Sequence, residues 1–295
     1  MSGQQEVRYL ESAGVRRRYV LYRPEAVQSS SAPVPALVML DGRGGTPWTA
    51  MRTALWNNTA DREGFAVIYP EALRLDPEGP QHFLTNPQMW CAGKGGSDVE
   101  RSEVDDVGFL VQTIHDAVAY ANLDGRSIFM AGFSNGAAMT YRFALEQPRM
   151  LAGIASVSGH LRAPPDAVLS EPVPLISFFG EQDPLSPADG GEVDLPWGRR
   201  EYRPPAFESV RRWAVLCGHR AEDLVATRVP GVVRWSCGRP GQRDEIKFVT
   251  VSDLGHVWPG GHRILPESLV GHGSDRVKAN EEIWDFFAAR IAGRR

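Results

Sequence analysis

Short apolar segments alternate with longer amphipathic ones along most of the chain. Short apolar runs bounded by glycine, proline or charge are typical of buried strands, and apolar residues three or four positions apart are typical of helices. Their alternation predicts a mainly parallel central sheet flanked by helices. The predicted strands are 17–22, 36–40, 65–69, 128–131, 153–157, 175–179 and 246–251, and the predicted helices are 49–63, 104–121, 135–146, 207–216 and 281–291.

Two segments, 73–103 and 184–205, lack this periodicity and are rich in glycine, proline and charge. Irregular segments of this length inside a compact domain are usually functional loops. Both follow the carboxyl ends of predicted strands, the edge at which open α/β sheets bind ligands. We therefore expect both segments to shape a pocket. The short connection between strands 153–157 and 175–179 leaves no room for a large lid domain.

Composition narrows the class of protein. The chain has 295 residues, 42% hydrophobic and 23% charged, which suits one α/β domain over 1–295. A net charge of −4 gives no basic excess for nucleic acid. No apolar stretch is long enough to span a membrane. Because Met1–Leu10 lacks the apolar core of a signal peptide, we expect a cytoplasmic protein, or a secreted one if a leader was removed.

The segment Gly132-Phe133-Ser134-Asn135-Gly136 matches the G-x-S-x-G pattern. It lies between a predicted strand and a predicted helix, as this pattern requires. The turn is so tight that residues larger than glycine on either side of the serine would collide with their neighbours. We therefore predict that Ser134 is a nucleophile, with a structural Gly-Ser turn as the alternative.

A serine hydroxyl needs a base and an acid that orients the base. In this architecture they follow the serine in the order acid, then histidine. Asp183 lies on the loop that follows strand 175–179, and His256 lies on the loop after strand 246–251. We predict these two residues as acid and base. A plain turn aspartate before Pro184 is the alternative for Asp183.

The remaining histidines, cysteines and acidic residues have weaker claims. His160 follows the strand after the serine motif and could line the site without being the base. A metal cluster of His256, His262 and His272 has no recognised ligand spacing, and three cysteines are too few for a zinc site. Cys217 and Cys237 could pair in an oxidising compartment, or both could be buried thiols. An acidic run more plausibly caps the following helix than binds calcium; its members are Asp98, Glu100, Glu103, Asp105 and Asp106.

The tetrahedral intermediate needs hydrogen-bond donors for its oxyanion. The backbone N–H of Asn135, next after the serine, is one candidate. The second should come from the glycine-rich turn after strand 36–40, where the N–H of Arg43 is preferred and that of Gly44 is the alternative. Trp90 and Trp258 lie on loops at the same sheet edge and could form a flat wall for substrate.

Four stretches together carry a family resemblance: 55–71 (LWNNTADREGFAVIYPE), 104–110 (VDDVGFL), 132–138 (GFSNGAA), and 255–261 (GHVWPGG) with 282–287 (EIWDFF). The chain resembles the polyhydroxybutyrate-depolymerase-like esterases, which include feruloyl and acetyl-xylan esterases. The resemblance implies one α/β-hydrolase domain, no cofactor and ester cleavage through an acyl-enzyme. The family's catalytic serine, aspartate and histidine fall on Ser134, Asp183 and His256.

The chain departs from this family at two places. Where the family usually has His-Gly at the oxyanion turn, this chain has Asp41-Gly42 followed by Arg43. We expect a rearranged turn in which Asp41 pairs with Arg43 or with another arginine. The family's aromatic-rich cysteine segment is reduced here to 89–93, Met-Trp-Cys-Ala-Gly, which weakens any expectation of substrate contact by Trp90.

The sequence therefore predicts a serine carboxylesterase without cofactor or metal. Its substrate would be a small or polymeric ester of a short acyl, hydroxyalkanoate or feruloyl type. Two alternatives remain open: a serine peptidase of the same fold, and a catalytically silent hydrolase fold that binds a ligand. The sequence does not indicate the oligomeric state.

Overall fold

The computed structural model describes residues 3–93 and 104–292. Its strands are β1 (Gln4–Ser12), β2 (Val15–Arg23), β3 (Val34–Leu40), β4 (Ala66–Pro70), β5 (Leu123–Phe133), β6 (Gly153–Val157), β7 (Leu175–Gly180), β8 (Gly191–Leu195), β9 (Arg199–Arg203), β10 (Val225–Val229), β11 (Val232–Cys237) and β12 (Ile246–Val251). Its helices are α1 (Glu25–Gln28), α2 (Pro47–Ala54), α3 (Trp56–Glu63), α4 (Asp106–Ala121), α5 (Asn135–Glu146), α6 (Ala206–Leu216), α7 (Glu267–Val270) and α8 (Ala279–Ala292).

Ten of these strands form one sheet, in the order β1-β2-β4-β3-β5-β6-β7-β12-β11-β10. The six central strands, from β4 to β12, are mutually parallel. The outer strands β1, β2, β10 and β11 pair antiparallel. The predicted α/β-hydrolase fold with a mainly parallel centre is confirmed, and the described residues include no large lid domain.

Apolar residues cover both faces of the sheet because successive side chains of a strand point to opposite faces. In β3, Val38 and Leu40 pack into one core layer, and Leu37 and Met39 pack into the other. The first layer holds the apolar faces of α4, α5 and α6, and the second holds those of α2, α3 and α8. Burial on both faces explains why the central strands read as nearly continuous apolar runs.

The predicted helix 49–63 is wrong as one element. The structure has two helices, α2 and α3, which meet at Leu55. Leu55 has a φ of 55°, in the left-handed region, and its N–H donates to the carbonyl of Met51 to close α2. Helical periodicity continues across this break, so the pattern of apolar residues did not reveal it.

Five strands were absent from the prediction: β1, β8, β9, β10 and β11. Strands β8 and β9 pair as an antiparallel hairpin inside segment 184–205, which was read as irregular. Every residue of β10 is exposed, so that strand has no buried face to give a periodic signal. Of the other irregular segment, residues 73–93 are described and residues 94–103 lie outside the described chain.

The acidic run divides into three parts. Asp98, Glu100 and Glu103 lie outside the described residues. Asp105 caps α4 by accepting a hydrogen bond from the N–H of Gly108 at 2.8 Å, as the capping interpretation expects. Asp106 instead forms a buried ion pair with Arg17 at 2.7 Å.

Cys91, Cys217 and Cys237 are all free and buried, so Cys217 and Cys237 are not paired. Burial raises the pKa of the Cys217 thiol to about 12 and that of the Cys237 thiol to about 11. Both thiols therefore remain protonated near neutral pH and pack as small apolar groups. Within the two described ranges, no helix combines the length and apolar character needed to cross a bilayer.

Candidate active site

Ser134 lies at a sharp turn between β5 and α5, with φ 54° and ψ −116°. The flanking glycines are sterically required. A Cβ on Gly132 would lie 2.3 Å from the carbonyl oxygen of Gly136, and a Cβ on Gly136 would lie 2.3 Å from that of Leu40. The turn thus holds Ser134 at the carboxyl edge of the sheet and at the amino end of α5.

Asp183 and His256 meet at the same edge, after β7 and β12. The Nδ1 of His256 lies 2.7 Å from Oδ2 of Asp183. Oδ1 of Asp183 accepts hydrogen bonds from the backbone N–H groups of Leu185, at 2.9 Å, and Ser186, at 2.8 Å. Asp183 is only 3% exposed, so these three contacts fix its position. The structure places His256 between this buried carboxylate and the cavity that Ser134 also lines.

This cavity has a volume of about 300 Å³. The loop that follows His256 contributes the apolar side chains of Trp258, Leu265 and Val270 to its wall. Phe83 and Trp197, from segments 73–93 and 184–205, also line it, and their ring centroids lie 5.6 Å apart. Both segments therefore shape the pocket, as their positions after strands predict.

The turn after β3 packs directly against the serine. A Cβ on Gly42 would lie 3.2 Å from the Cβ of Ser134, so glycine permits this close approach. Arg43 lines the cavity. The N–H of Gly44 donates to the carbonyl of Gln88 at 2.7 Å, which engages it elsewhere. The structure thus corrects the alternative assignment of Gly44 as an oxyanion donor.

Asp41 stabilises this turn through hydrogen bonds of its side chain. Its carboxylate accepts a hydrogen bond from the N–H of Gly42 at 2.8 Å and another from the hydroxyl of Thr49. Burial raises the pKa of Asp41 to about 6 despite these donors. The expected pairing of Asp41 with Arg43 is wrong: the Arg43 guanidinium lies over the ring of Trp197, 4.2 Å from its centroid.

Trp90 does not line the cavity, which corrects the expected substrate contact. Its side chain is buried, and its Nε1–H donates to the carbonyl of Asp41 at 3.1 Å. The Asn135 side chain holds the Trp90 backbone on both sides: Oδ1 accepts its N–H at 2.7 Å, and Nδ2 donates to its carbonyl at 3.1 Å. The next N–H, of Cys91, donates to Asp106 at 2.7 Å. Segment 89–93 is thereby fixed behind the oxyanion turn.

Trp258 and His160, the other residues predicted to contact substrate, both line the cavity. The Nε1–H of Trp258 donates to Asn280 Oδ1 at 2.8 Å, which fixes the ring. His160 Nε2 lies 2.8 Å from the hydroxyl of Ser186. Burial, together with the charges of Arg203 and Arg162, lowers the pKa of His160 to about 3. His160 is therefore neutral at ordinary pH.

Four contributors to the site were missed from the sequence: Phe83, Ser186, Trp197 and the side chain of Asn135. The signal for Asn135 was present, because it lies inside the serine motif. His262 lines the cavity, whereas Nδ1 of His272 lies 2.8 Å from a carboxylate oxygen of Glu267, so these two histidines lie in different environments. In residues 3–93 and 104–292, no group of three His, Cys, Asp or Glu side chains is arranged to hold a metal ion.

Comparisons with known proteins agree with this fold and motif. Residues 17–172 match the family described as Esterase PHB depolymerase. NocK of Nocardia uniformis subsp. tsuyamanensis, named as a candidate esterase, is 28% identical over 287 residues, covering 93% of this chain and 80% of NocK. The acetyl xylan esterase from Aspergillus awamori has a TM-score of 0.62 at 14% identity, covering 96% of this chain and 99% of that one.

A second solved structure, that of native pOPH, matches with a TM-score of 0.56 at 19% identity and covers 87% of this chain and 82% of that one. At these identities the two structures support the fold alone. The family match covers more than half of this chain and includes the serine motif. The chain therefore belongs to the Esterase PHB depolymerase family of ester hydrolases.

Proposed function

We propose that this protein is a serine carboxylesterase that forms an acyl-enzyme on Ser134. One observation carries the proposal: the 2.7 Å contact between His256 Nδ1 and the buried Asp183, at a cavity whose wall also includes Ser134. A buried aspartate that accepts the Nδ1–H leaves Nε2 of the imidazole as the basic nitrogen.

In acylation, His256 Nε2 takes the proton of the Ser134 hydroxyl while Oγ attacks the ester carbonyl carbon. The resulting oxyanion accepts hydrogen bonds from the backbone N–H groups of Asn135 and Arg43. The intermediate then collapses, the bond to the alcohol oxygen breaks, and His256 gives its proton to the departing alcohol. Asp183 stabilises the imidazolium that exists between these two transfers.

In deacylation, His256 Nε2 takes a proton from water, and the hydroxide attacks the acyl carbon. The second tetrahedral intermediate releases the Ser134 oxygen, which recovers its proton from His256. The products are one carboxylic acid and one alcohol, and the enzyme returns to its starting state. Neither half of this proposed mechanism uses a cofactor or a metal ion.

The cavity favours a short acyl group. Its volume of about 300 Å³ lies at the lower end of the range for small-molecule sites. Short acyl, hydroxyalkanoate and feruloyl-type esters are the substrates we propose, either free or at an accessible point of a polymer. We also propose that one domain, formed by the whole chain, carries this site, because its parts come from strands spread along the length of the central sheet.

The test is hydrolysis of p-nitrophenyl butyrate by the protein and by Ser134→Ala. The substitution should lower kcat by at least about 10³-fold, because the nucleophile is lost. Ser127→Ala is the matched control, since Ser127 lies in β5, seven residues before Ser134, and its hydroxyl donates to Asp124. A serine-reactive fluorophosphonate should add one adduct to the protein and none to Ser134→Ala.

Other outcomes separate the alternatives. Activity that survives Ser134→Ala would remove this residue from the mechanism. No turnover and no adduct in the unsubstituted protein would favour a ligand-binding role. Faster cleavage of a matched p-nitroanilide would favour a peptidase. Methyl ferulate assayed beside hydroxybutyrate oligomers would then distinguish the two acyl classes.

A further inference from the structure

Two buried polar side chains near the proposed acid have no part in the mechanism above. They are Ser186, three residues after Asp183, and His160, three residues after the end of β6. The two side chains meet, because Nε2 of His160 lies 2.8 Å from the hydroxyl of Ser186. Ser186 is 3% exposed and His160 is 5% exposed, so their hydrogen bond is shielded from bulk water.

This hydrogen bond attaches one end of the turn that carries the acid. Before Asp183, the N–H of Gln182 donates to the carbonyl of Leu254 at 3.0 Å, which attaches the chain to the loop after β12. After Asp183, the hydroxyl of Ser186 attaches the chain to His160, on the loop after β6. The acid therefore lies between two attachments that belong to different strands.

Ser186 also holds the carboxylate itself. Its N–H donates to Oδ1 of Asp183 at 2.8 Å, whereas Oδ2 of Asp183 lies 2.7 Å from Nδ1 of His256. The two oxygens belong to one planar carboxylate, so the direction of Oδ2 depends on where Oδ1 is held. A shift of Ser186 would turn the carboxylate and weaken its contact with His256.

His160 is a restrained support for this serine. Its ring packs against that of Phe179 in β7, with the two centroids 5.1 Å apart. The N–H of the next residue, Leu161, donates to the hydroxyl of Ser209 in α6 at 3.1 Å. The ring and the adjoining backbone are thus each held by a neighbouring element, as a residue that supports an active site requires.

The protonation behaviour of His160 disfavours a direct chemical role. Burial is the main cause that lowers its pKa to about 3, so His160 binds a proton too weakly to be an effective base near neutral pH. A neutral imidazole can still share a hydrogen bond with a hydroxyl in either direction. His160 is therefore suited to hold Ser186 rather than to transfer protons.

We propose that Ser186 and His160 are positioning residues, which hold the carboxylate of Asp183 in line with the imidazole of His256. This inference rests on the proposed esterase function. It gives His160 a role other than the substrate contact expected from the sequence, because His160 acts on the reaction through Ser186 and the acid.

The first test is Ser186→Ala, which keeps the backbone N–H that binds Asp183 and removes only the hydroxyl. With p-nitrophenyl butyrate, kcat should fall about tenfold while KM stays within about twofold, because the acid is misplaced and the substrate site is not. Ser127→Ala is the matched control. Ser127 is 2% exposed, and its hydroxyl donates to Asp124 at 2.6 Å within β5. This control should lose stability and keep kcat.

His160 is tested by two substitutions. His160→Leu removes the hydrogen bond and should lower kcat about tenfold, as Ser186→Ala does. His160→Gln places an amide nitrogen near the position of Nε2 and should keep kcat within about threefold of the unsubstituted protein. The double variant of Ser186→Ala and His160→Leu should be within about twofold of either single variant, since both changes remove the same hydrogen bond.

Proton NMR gives a measurement that does not depend on hydrolysis. The proton between Nδ1 of His256 and Asp183 should give a far-downfield resonance, which Asp183→Ala should abolish. In Ser186→Ala and His160→Leu this proton should exchange faster with solvent, because the carboxylate is held less firmly. In Ser127→Ala and His160→Gln its exchange should be unchanged. Thermal melting of each variant checks that it is folded.

The outcomes are separable. If esters are cleaved through Ser134 but Ser186→Ala keeps full kcat and slow exchange, the positioning role is overturned and the esterase function stands. A higher KM in His160→Leu without an effect of Ser186→Ala would also overturn it, and would assign His160 to substrate contact. Equal losses of kcat in Ser186→Ala and Ser127→Ala would do the same, because the effect would then be one of general stability. If no ester is cleaved, the esterase function fails, and the positioning role fails with it.

Discussion

Asn135 joins two parts of the site that are far apart in the chain. Its backbone follows the serine, where it can donate to an oxyanion, and its side chain holds the backbone of Trp90, 45 residues earlier. Trp90 in turn supports Asp41 at the base of the oxyanion turn. The side chain of Asn135 is therefore a positioning group for the turn that faces Ser134.

We predict that Asn135→Ala lowers kcat about tenfold or more while leaving the backbone N–H at this position in place. The two hydrogen bonds to Trp90 are lost, and its buried N–H and carbonyl groups are left without their partner, at a cost of about 1–3 kcal/mol. Steady-state kinetics with p-nitrophenyl butyrate and urea unfolding measure the two effects.

The control for this prediction is Asn57→Ala. Asn57 accepts a hydrogen bond from the Tyr69 hydroxyl at 2.8 Å and does not line the cavity. The Asn57→Ala variant should lose stability but keep kcat within about twofold of the unsubstituted protein. Equal losses of kcat in the two variants would mean that the Asn135 side chain acts only through general stability.

At the level of secondary-structure elements, the hairpin of β8 and β9 connects two loops of the site. Trp197, at its tip, donates from Nε1 to the Phe83 carbonyl at 2.9 Å. Its ring also lies under the guanidinium of Arg43. The hairpin thus holds both segment 73–93 and the oxyanion turn, although it belongs to neither.

We predict that Trp197→Ala lowers kcat/KM about tenfold and increases amide hydrogen exchange at Gly42, Arg43 and Gly44. The loss of the cation–π contact and of one hydrogen bond leaves the turn less restrained. Tyr202→Ala, in the same hairpin but 70% exposed, is the control and should change neither quantity. Faster exchange confined to the hairpin would contradict a link to the turn.

The sequence predicted the central strands well because each is buried on both faces. Strands β6 and β12 and helix α5 were predicted with the bounds that the structure has. Three of the four outer strands, β1, β10 and β11, were missed. Every residue of β10 is exposed, so this strand has no buried face to give apolar alternation. The break at Leu55 was missed because a single left-handed residue does not change the apolar pattern on either side.

The same limit applies to the site. Ser134, Asp183 and His256 could be proposed together because a fixed chain order links each to the end of a strand. The contact between Asn135 and Trp90 could not, since a side chain that binds backbone 45 residues away leaves no periodic trace. The partners of Asp41 were wrongly predicted, because charge alone favoured an arginine and the close backbone and hydroxyl donors were not visible.

At the level of the whole molecule, two buried titratable groups give opposite dependences of stability on pH. The folded pKa of His160, about 3, lies below its ordinary value of 6.5. Its contribution to stability is complete above about pH 6.5 and is lost as the pH falls towards 3. The folded pKa of Asp41, about 6, lies above its ordinary value of 3.8. The contribution of Asp41 to stability is complete below about pH 3.8 and is lost as the pH rises through 6.

We predict that His160→Gln reduces the loss of stability on acidification. Between pH 6.5 and 4, the free energy of unfolding of the unsubstituted protein should fall by about 3 kcal/mol more than that of the variant, because only the native histidine must be protonated. Urea unfolding across this range measures the difference. His115→Gln, on the exposed side of α4, should keep the steeper slope. Parallel curves for His160→Gln and the unsubstituted protein would contradict the prediction.

The contact between Asp183 and His256 closes a loop of 73 residues. Ser134 lies still earlier in the chain, at the end of β5. Pairing parallel strands that are far apart in the chain costs conformational entropy before the stabilising contacts form. Helices and the β1–β2 hairpin instead form between residues that are close in the chain. During folding, most of the helices can therefore exist before any site does. The proposed nucleophile, acid and base come together only when β5, β6, β7 and β12 are in register, so we expect a chain that has regained only its helical content to be inactive.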